Sequence, residues 1–183
     1  NFTNIGLESM RTNVFDPALE AIDSQFGDQP LVRAQLLQAM ARTLFELGLF
    51  DAARDPQERA LSIRRENLGD EHPETLTTIS DMGSLLHAQG LLDEAEKYLS
   101  EALEGRRRVL GDEHPATLKA ISEMGSLLAT QGRLDLAEPY FREAIEGSRR
   151  LLGDENPDTL WEIGNMGALL FSQGRLDEAE VYF

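Results

Sequence analysis

The pentapeptide Gly-Asp-Glu-His-Pro occupies residues 69–73 and again 111–115, and returns as Gly-Asp-Glu-Asn-Pro at 153–157, each copy 42 residues after the last. Gln-Gly keeps the same step at Gln89-Gly90, Gln131-Gly132 and Gln173-Gly174, as do four of the five methionines, Met40, Met82, Met124 and Met166. A divergent earlier copy begins at Gly27 and shows through Met40, Gly48, Asp51, Ala53 and Ala60. A fixed period of this length marks a repeat architecture, in which no unit buries its apolar face alone and stacked neighbours complete the core. The expected organisation is N-terminal capping helices at 1–26, a divergent first repeat at 27–68, repeats at 69–110 and 111–152, and a fourth at 153–183 cut short in its second helix. With no initiator Met and a stop in mid-pattern, the chain reads as an excerpt from a longer protein.

Each repeat reads as two helices. Pro73 suits a first helical position, where its missing N–H costs nothing. From there Leu76, Ile79, Met82-Gly83 and Leu86 mark one face at helical spacing, and Gly90 ends the helix. The second helix carries the stripe Ala95, Leu99, Ala102 and Leu103 and ends on Arg106-Arg107-Arg108, whose charges suit the negative end of its dipole. Asp93-x-x-Glu96, Asp135-x-x-Glu138 and Asp177-x-x-Glu180 predict capping boxes at the second-helix starts. Gly83, Gly125 and Gly167, with Ala95, Ala137 and Ala179, mark close helix approach, since a mid-helix Gly costs about 1 kcal/mol against Ala unless packing requires it. Ahead of the repeats, Asp16-Pro17 starts a helix with the stripe Leu19, Ile22 and Phe26, and another helix is expected around 5–13. No segment alternates like a strand. The fold class is all-α.

The pattern Gly-Asp-Glu-His-Pro-x-Thr-Leu-x-x-Ile-Ser-x-Met-Gly-Ser-Leu-Leu-x-x-Gln-Gly-x-Leu-Asp-x-Ala-Glu resembles the tetratricopeptide repeat, and its 42-residue spacing is similar to the kinesin-light-chain type. The resemblance runs from Gly27 to Phe183. It implies a right-handed superhelical solenoid of antiparallel helix pairs, with the first helix of each pair lining a concave face. Repeats of this variety also occur in bacterial multidomain signalling proteins, and the segment 28–34 with 44–53 resembles the first repeat of such arrays.

The residues argue against most other chemistry. Seventeen basic against 33 acidic residues leave a net charge of −16, which disfavours nucleic acid and anionic membrane as partners. The absence of cysteine excludes disulfides and Cys-ligated metal. No apolar run is long enough for a membrane span and no signal peptide is visible, which points to the cytoplasm. Asn1-Phe2-Thr3 matches a glycosylation sequon, but without a secretory signal it carries no weight. Nucleophile-elbow, Walker, zincin and dinucleotide motifs are all missing. His72 and His114 lie beside Asp-Glu pairs, yet Asn156 fills the third copy of their slot; Asn is a favoured N-cap and a poor metal ligand, so helix capping is expected. His87 has no titratable partner at helical spacing. No enzyme activity, metal or cofactor is expected.

A surface remains. The face of the first helices opposite the core stripe, combined with the concavity that the resemblance implies, gives a candidate peptide-binding groove of Gln38, Arg42, Phe45, Thr77, Ser80, Asp81, Ser84, Lys119, Ser122, Glu123, Ser126, Trp161, Asn165 and Phe171. Its middle is small and hydroxyl-rich, with aromatics toward the ends, and it suits an extended or helical segment with apolar anchors. Trp161, the only tryptophan, is the best single candidate. Clamps that grip chaperone tails in this family use Lys, Arg and Asn around a carboxylate; Asp81 and Glu123 in those slots would repel one. Groove asparagines common in kinesin light chains survive only at Asn165. The expected function is therefore a non-catalytic protein- or peptide-binding scaffold within a larger signalling protein. The alternative is a structural spacer or oligomerisation element that self-associates through its exposed terminal repeat.

Overall fold

The computed structural model describes residues 9–182. The sequon and the first part of the helix expected around 5–13 lie outside the described residues. A π-helical turn, Arg11–Phe15, leads into α1 (Asp16–Gln25). Then follow α2 (Pro30–Glu46), α3 (Phe50–Leu68), α4 (Pro73–Ala88), α5 (Leu92–Leu110), α6 (Pro115–Thr130), α7 (Leu134–Leu152), α8 (Pro157–Ser172) and the short α9 (Leu176–Ala179), which runs into a 3₁₀ turn at Glu180–Tyr182. Among the described residues there is no strand. No helix among them is long and apolar enough to cross a membrane.

Local chemistry sets these boundaries. At the starts of α4, α6 and α8, His72, His114 and Asn156 cap through their side chains, accepting from the amides of Glu74, Ala116 and Asp158, with a proline in the first turn of each. Helices stop at glycines of positive φ: Gly48, Gly69, Gly90, Gly111, Gly132, Gly153 and Gly174, spaced by 21 residues, half the sequence period. Gly69, Gly111 and Gly153 reach φ/ψ near 84/165°, a region that essentially only glycine occupies. After the first helices the chain closes in Schellman fashion, the Arg133 amide returning to the Leu128 carbonyl at 2.9 Å and Arg175 to Leu170 at 3.0 Å.

Two expectations at the second helices need correction. The capping boxes do not form: α5, α7 and α9 begin at leucine, their N-cap positions are Leu91, Arg133 and Arg175, and none makes a side-chain cap bond. Asp93 and Asp135 fall inside the first turn, where they still favour the dipole, while Glu96 and Glu138 reach across to the next repeat. Arg106, expected at the exposed helix end, is buried and donates to the Ala116 carbonyl at 3.1 Å. Its neighbour Arg107 pairs with Asp112 at 3.2 Å, repeating Arg65–Asp70 at 2.9 Å and Arg149–Asp154 at 2.7 Å.

Packing divides the chain into two compact units, one ending at Gln89 and the other starting at Gly90. In the first, Leu19 and Ile22 of α1 pack on a buried cluster of Ala34 and Leu37 from α2 and Ala60 and Ile63 from α3. Against α3 lies α4, with Leu76, Ile79, Met82 and Leu86 all buried. In the second, α5 to α9 pack in succession. The stripe Ala95, Leu99, Ala102 and Leu103 of α5 is buried, and so is Ala137, Phe141, Ala144 and Ile145 of α7. Gly125 of α6 faces the Phe141 ring, where a Cβ would lie 3.0 Å from the nearest ring carbon. That contact is the close approach the small residues imply.

Candidate binding face

In the first unit, α2 and α4 carry seven of the candidate residues. Arg42 and Thr77 are exposed, while Gln38, Asp81 and Ser84 are half-buried. Thr77 spends its hydroxyl on the Pro73 carbonyl at 2.9 Å, and the Phe45 ring lies 5.3 Å from that of Phe50 at the start of α3. Ser80, expected on the open face, is only 2% exposed and sits beneath it. Gln38 donates from Nε2 to Asp81 at 2.5 Å and receives through Oε1 a bond from Arg64, a residue of α3. Arg64 also donates to the Thr78 hydroxyl and pairs with Glu74 at 3.4 Å. Burial lowers its pKa, while Glu74 and Asp81 act in the opposite direction. Asp81 is thus not a bare carboxylate: a buried guanidinium compensates it through Gln38.

In the second unit, α6 and α8 carry the rest. Lys119 is exposed and pairs with half-buried Glu123 at 3.7 Å. Trp161 and Phe171 are 70% and 64% exposed, with half-buried Asn165 between them along α8 and half-buried Ser126 on α6. Ser122 is 5% exposed, again beneath the face, because its hydroxyl reaches across from α6 to the Glu162 carboxylate of α8. Burial pushes the Glu162 carboxyl above its ordinary pKa; the Ser122 hydroxyl and the Asn165 amide oppose that, while Asp158 and Glu123 add to it. His87 is half-buried, and burial lowers its pKa.

Arg64 and Glu162 are the two residues that a reading of helix faces misses. Register of the copies is the signal that exposes Glu162: its slot holds Leu36, Thr78 and Ala120 in the other repeats, and Thr78 and Ala120 are buried. A carboxylate at 7% exposure in that series is an outlier that position in the period alone reveals. Among the described residues no group of His, Cys, Asp or Glu is arranged to hold a metal ion.

A family model described as tetratricopeptide repeat matches residues 32–90, 74–149 and 119–183. Three solved structures of similar fold bracket the chain. BtubC (BKLC) from P. vanneervenii is 24% identical with a TM-score of 0.76, covering 84% of this chain and 61% of its own. A putative kinesin light chain with nearly identical TPR-like repeats, from Podospora anserina, is 19% identical with a TM-score of 0.75, covering 98% and 88%. A Rap protein complexed with Competence and Sporulation Factor is 15% identical with a TM-score of 0.74, covering 97% and 49%. The chain thus spans less than two thirds of the first and third of these structures. At such identities the likeness establishes the fold alone. A search of curated proteins finds no significant match.

Proposed function

We propose a function from one premise, that the chain belongs to the tetratricopeptide repeat family: it is a non-catalytic scaffold that holds a protein or peptide segment against its first helices, within a larger signalling protein. The observation that carries this reading is the pair Trp161 and Phe171, two large aromatic side chains left in solvent on α8 beside half-buried polar groups. Exposed aromatics rimmed by polar residues are what interface anchors look like before a partner covers them. The Rap protein in complex with Competence and Sporulation Factor supports the same reading by analogy of fold. Compensation of Asp81 by Arg64 and of Glu123 by Lys119 favours a ligand of little net charge. As the sole tryptophan, Trp161 makes its own assay. Binders selected from a random peptide library would be titrated against the intact chain by tryptophan fluorescence and calorimetry. The reading expects saturable binding that Trp161→Ala weakens at least tenfold. It fails if no selected peptide saturates, or if Trp161→Ala and Asp81→Lys both leave the affinity intact.

A further inference from the structure

One slot begins the first helices of three successive repeats, and two chemistries fill it. His72, His114 and Asn156 share a backbone conformation, with φ/ψ of −67/137°, −73/138° and −70/136°. Each side chain accepts from the amide two residues on. His72 Nδ1 takes the Glu74 N–H at 3.2 Å, His114 Nδ1 the Ala116 N–H at 3.1 Å, and Asn156 Oδ1 the Asp158 N–H at 2.9 Å. The oxygen of a side-chain amide accepts at any ordinary pH. An imidazole nitrogen accepts only while it carries no proton, and imidazole is the side chain that changes charge between about pH 5 and 8. A proton on Nδ1 makes it a donor pointed at another donor, and puts a cation at the positive end of the helix dipole.

The surroundings give a charged imidazole somewhere else to turn. Around His72 stand Asp70 and Glu71 in the turn, Glu74 in α4, and Arg64 and Arg65 from α3, which pair with Glu74 at 3.4 Å and with Asp70 at 2.9 Å. Around His114 stand Asp112 and Glu113, paired with Arg107 of α5 at 3.2 Å and Arg150 of α7 at 3.3 Å. Both sites lie in turns rather than in the core, so a histidine can leave its cap without disturbing buried residues.

We propose that His72 and His114 are acid-releasable caps, which let go of the first turns of α4 and α6 on taking up a proton while Asn156 keeps α8 capped at every pH. The chain then loosens at residues 70–74 and 112–116 and stays closed at 154–158. The test is amide hydrogen exchange by NMR on the intact chain at pH 7.5 and at pH 5, read as protection factors so that the intrinsic pH dependence cancels. Protection at Glu74 and Ala116 should fall by about fivefold relative to Asp158, the ratio that a typical N-cap contribution of ~1 kcal/mol converts to. The double variant His72→Asn, His114→Asn keeps the cap chemistry already present at Asn156, so it should fold normally and lose the fall. If Glu74 and Ala116 track Asp158 at both pH values, the proposal is wrong. It is equally wrong if the fall persists in the double variant, because the neighbouring acids would then be its cause.

Discussion

Replacing Gly147 by alanine sets two physical effects against each other. Helix propensity alone says that Gly→Ala inside α7 stabilises by about 1 kcal/mol. The structure says otherwise, because a Cβ built there lies 2.3 Å from Leu118 Cδ2, 3.1 Å from Cδ1 and 3.3 Å from Cγ. Carbon atoms rest about 3.5–4.0 Å apart, so the methyl group overlaps the leucine by more than 1 Å. Leu118 is buried and has little room to swing away. Overpacking of this kind costs about 1–3 kcal/mol. Subtracting the propensity gain leaves a net loss centred near 1 kcal/mol. Gly164 is the control: it also lies in a helix, at negative φ, with nothing within 4 Å of its would-be Cβ. Gly164→Ala should gain about 1 kcal/mol, so two identical substitutions should differ by about 2 kcal/mol. That is a separation of roughly 4–8 °C in Tm for a chain of this length. Urea titrations followed by far-ultraviolet circular dichroism, with slope and midpoint both fitted, measure it. Adding Leu118→Ala to Gly147→Ala removes the obstacle, and the pair should be less destabilised than the sum of its singles. If Gly147→Ala stabilises as much as Gly164→Ala, the close packing of α6 on α7 is wrong.

Leu118→Ala should cost about 2–5 kcal/mol and Leu160→Ala under ~0.5 kcal/mol by the same titration, although the two occupy one slot of the repeat, because only the first is buried. Glu162→Gln keeps an acceptor for Ser122 and removes a buried charge. Since burial raises the folded-state pKa of Glu162, its contribution is fully present below the unfolded pKa and is lost as pH rises through the folded one. The variant should therefore be more stable than wild type at pH 7, with the advantage shrinking toward pH 4; urea midpoints across that range check it, and equal midpoints at pH 7 refute it. Glu96 has the opposite sign. Bonds from Gln131 and Arg133 hold its carboxyl below its ordinary pKa, so its stabilisation is present above the unfolded pKa and is lost as pH falls through the folded one. Arg133→Gln should raise the Glu96 pKa in an NMR titration and cost about 0.2–1 kcal/mol, less in high salt, because both partners are partly exposed.

Features that depend on neighbours in the sequence were legible in advance. The caps at His72, His114 and Asn156 involve an amide two residues away, and the buried stripes of the helices follow from spacing alone. Features that depend on the next repeat were harder to read. Asp93-x-x-Glu96 has the form of a capping box, but the helix starts two residues earlier than that motif needs, and Glu96 finds Arg133 and Gln131 across the repeat step instead. Ser122 looks solvent-facing because a helical wheel has one apolar side; a second neighbouring helix, α8, covers a flank that the wheel leaves polar. Arg64 sits at a helix end like any dipole-matching arginine, and only tertiary packing turns it inward. Comparison of copies is the remedy, since Glu162 among Leu36, Thr78 and Ala120 is visible once the repeats are aligned.

Glycine punctuation every 21 residues also bears on how the chain comes into being. Each half-repeat is closed by its own turn, and the reach from one first helix to the next, as from Gln38 to Asp81, spans 43 residues. Partners that near in sequence place the chain among topologies that fold quickly. A ribosome adding about 5–20 residues per second releases one half-repeat in roughly 1–4 s, whereas a helix forms in about a microsecond. Within each compact unit, every helix therefore has ample time to form and settle on its predecessor before the next emerges. The nascent chain leaves little more than one helix face uncovered at any moment, and so has little opportunity to meet another chain while unfinished.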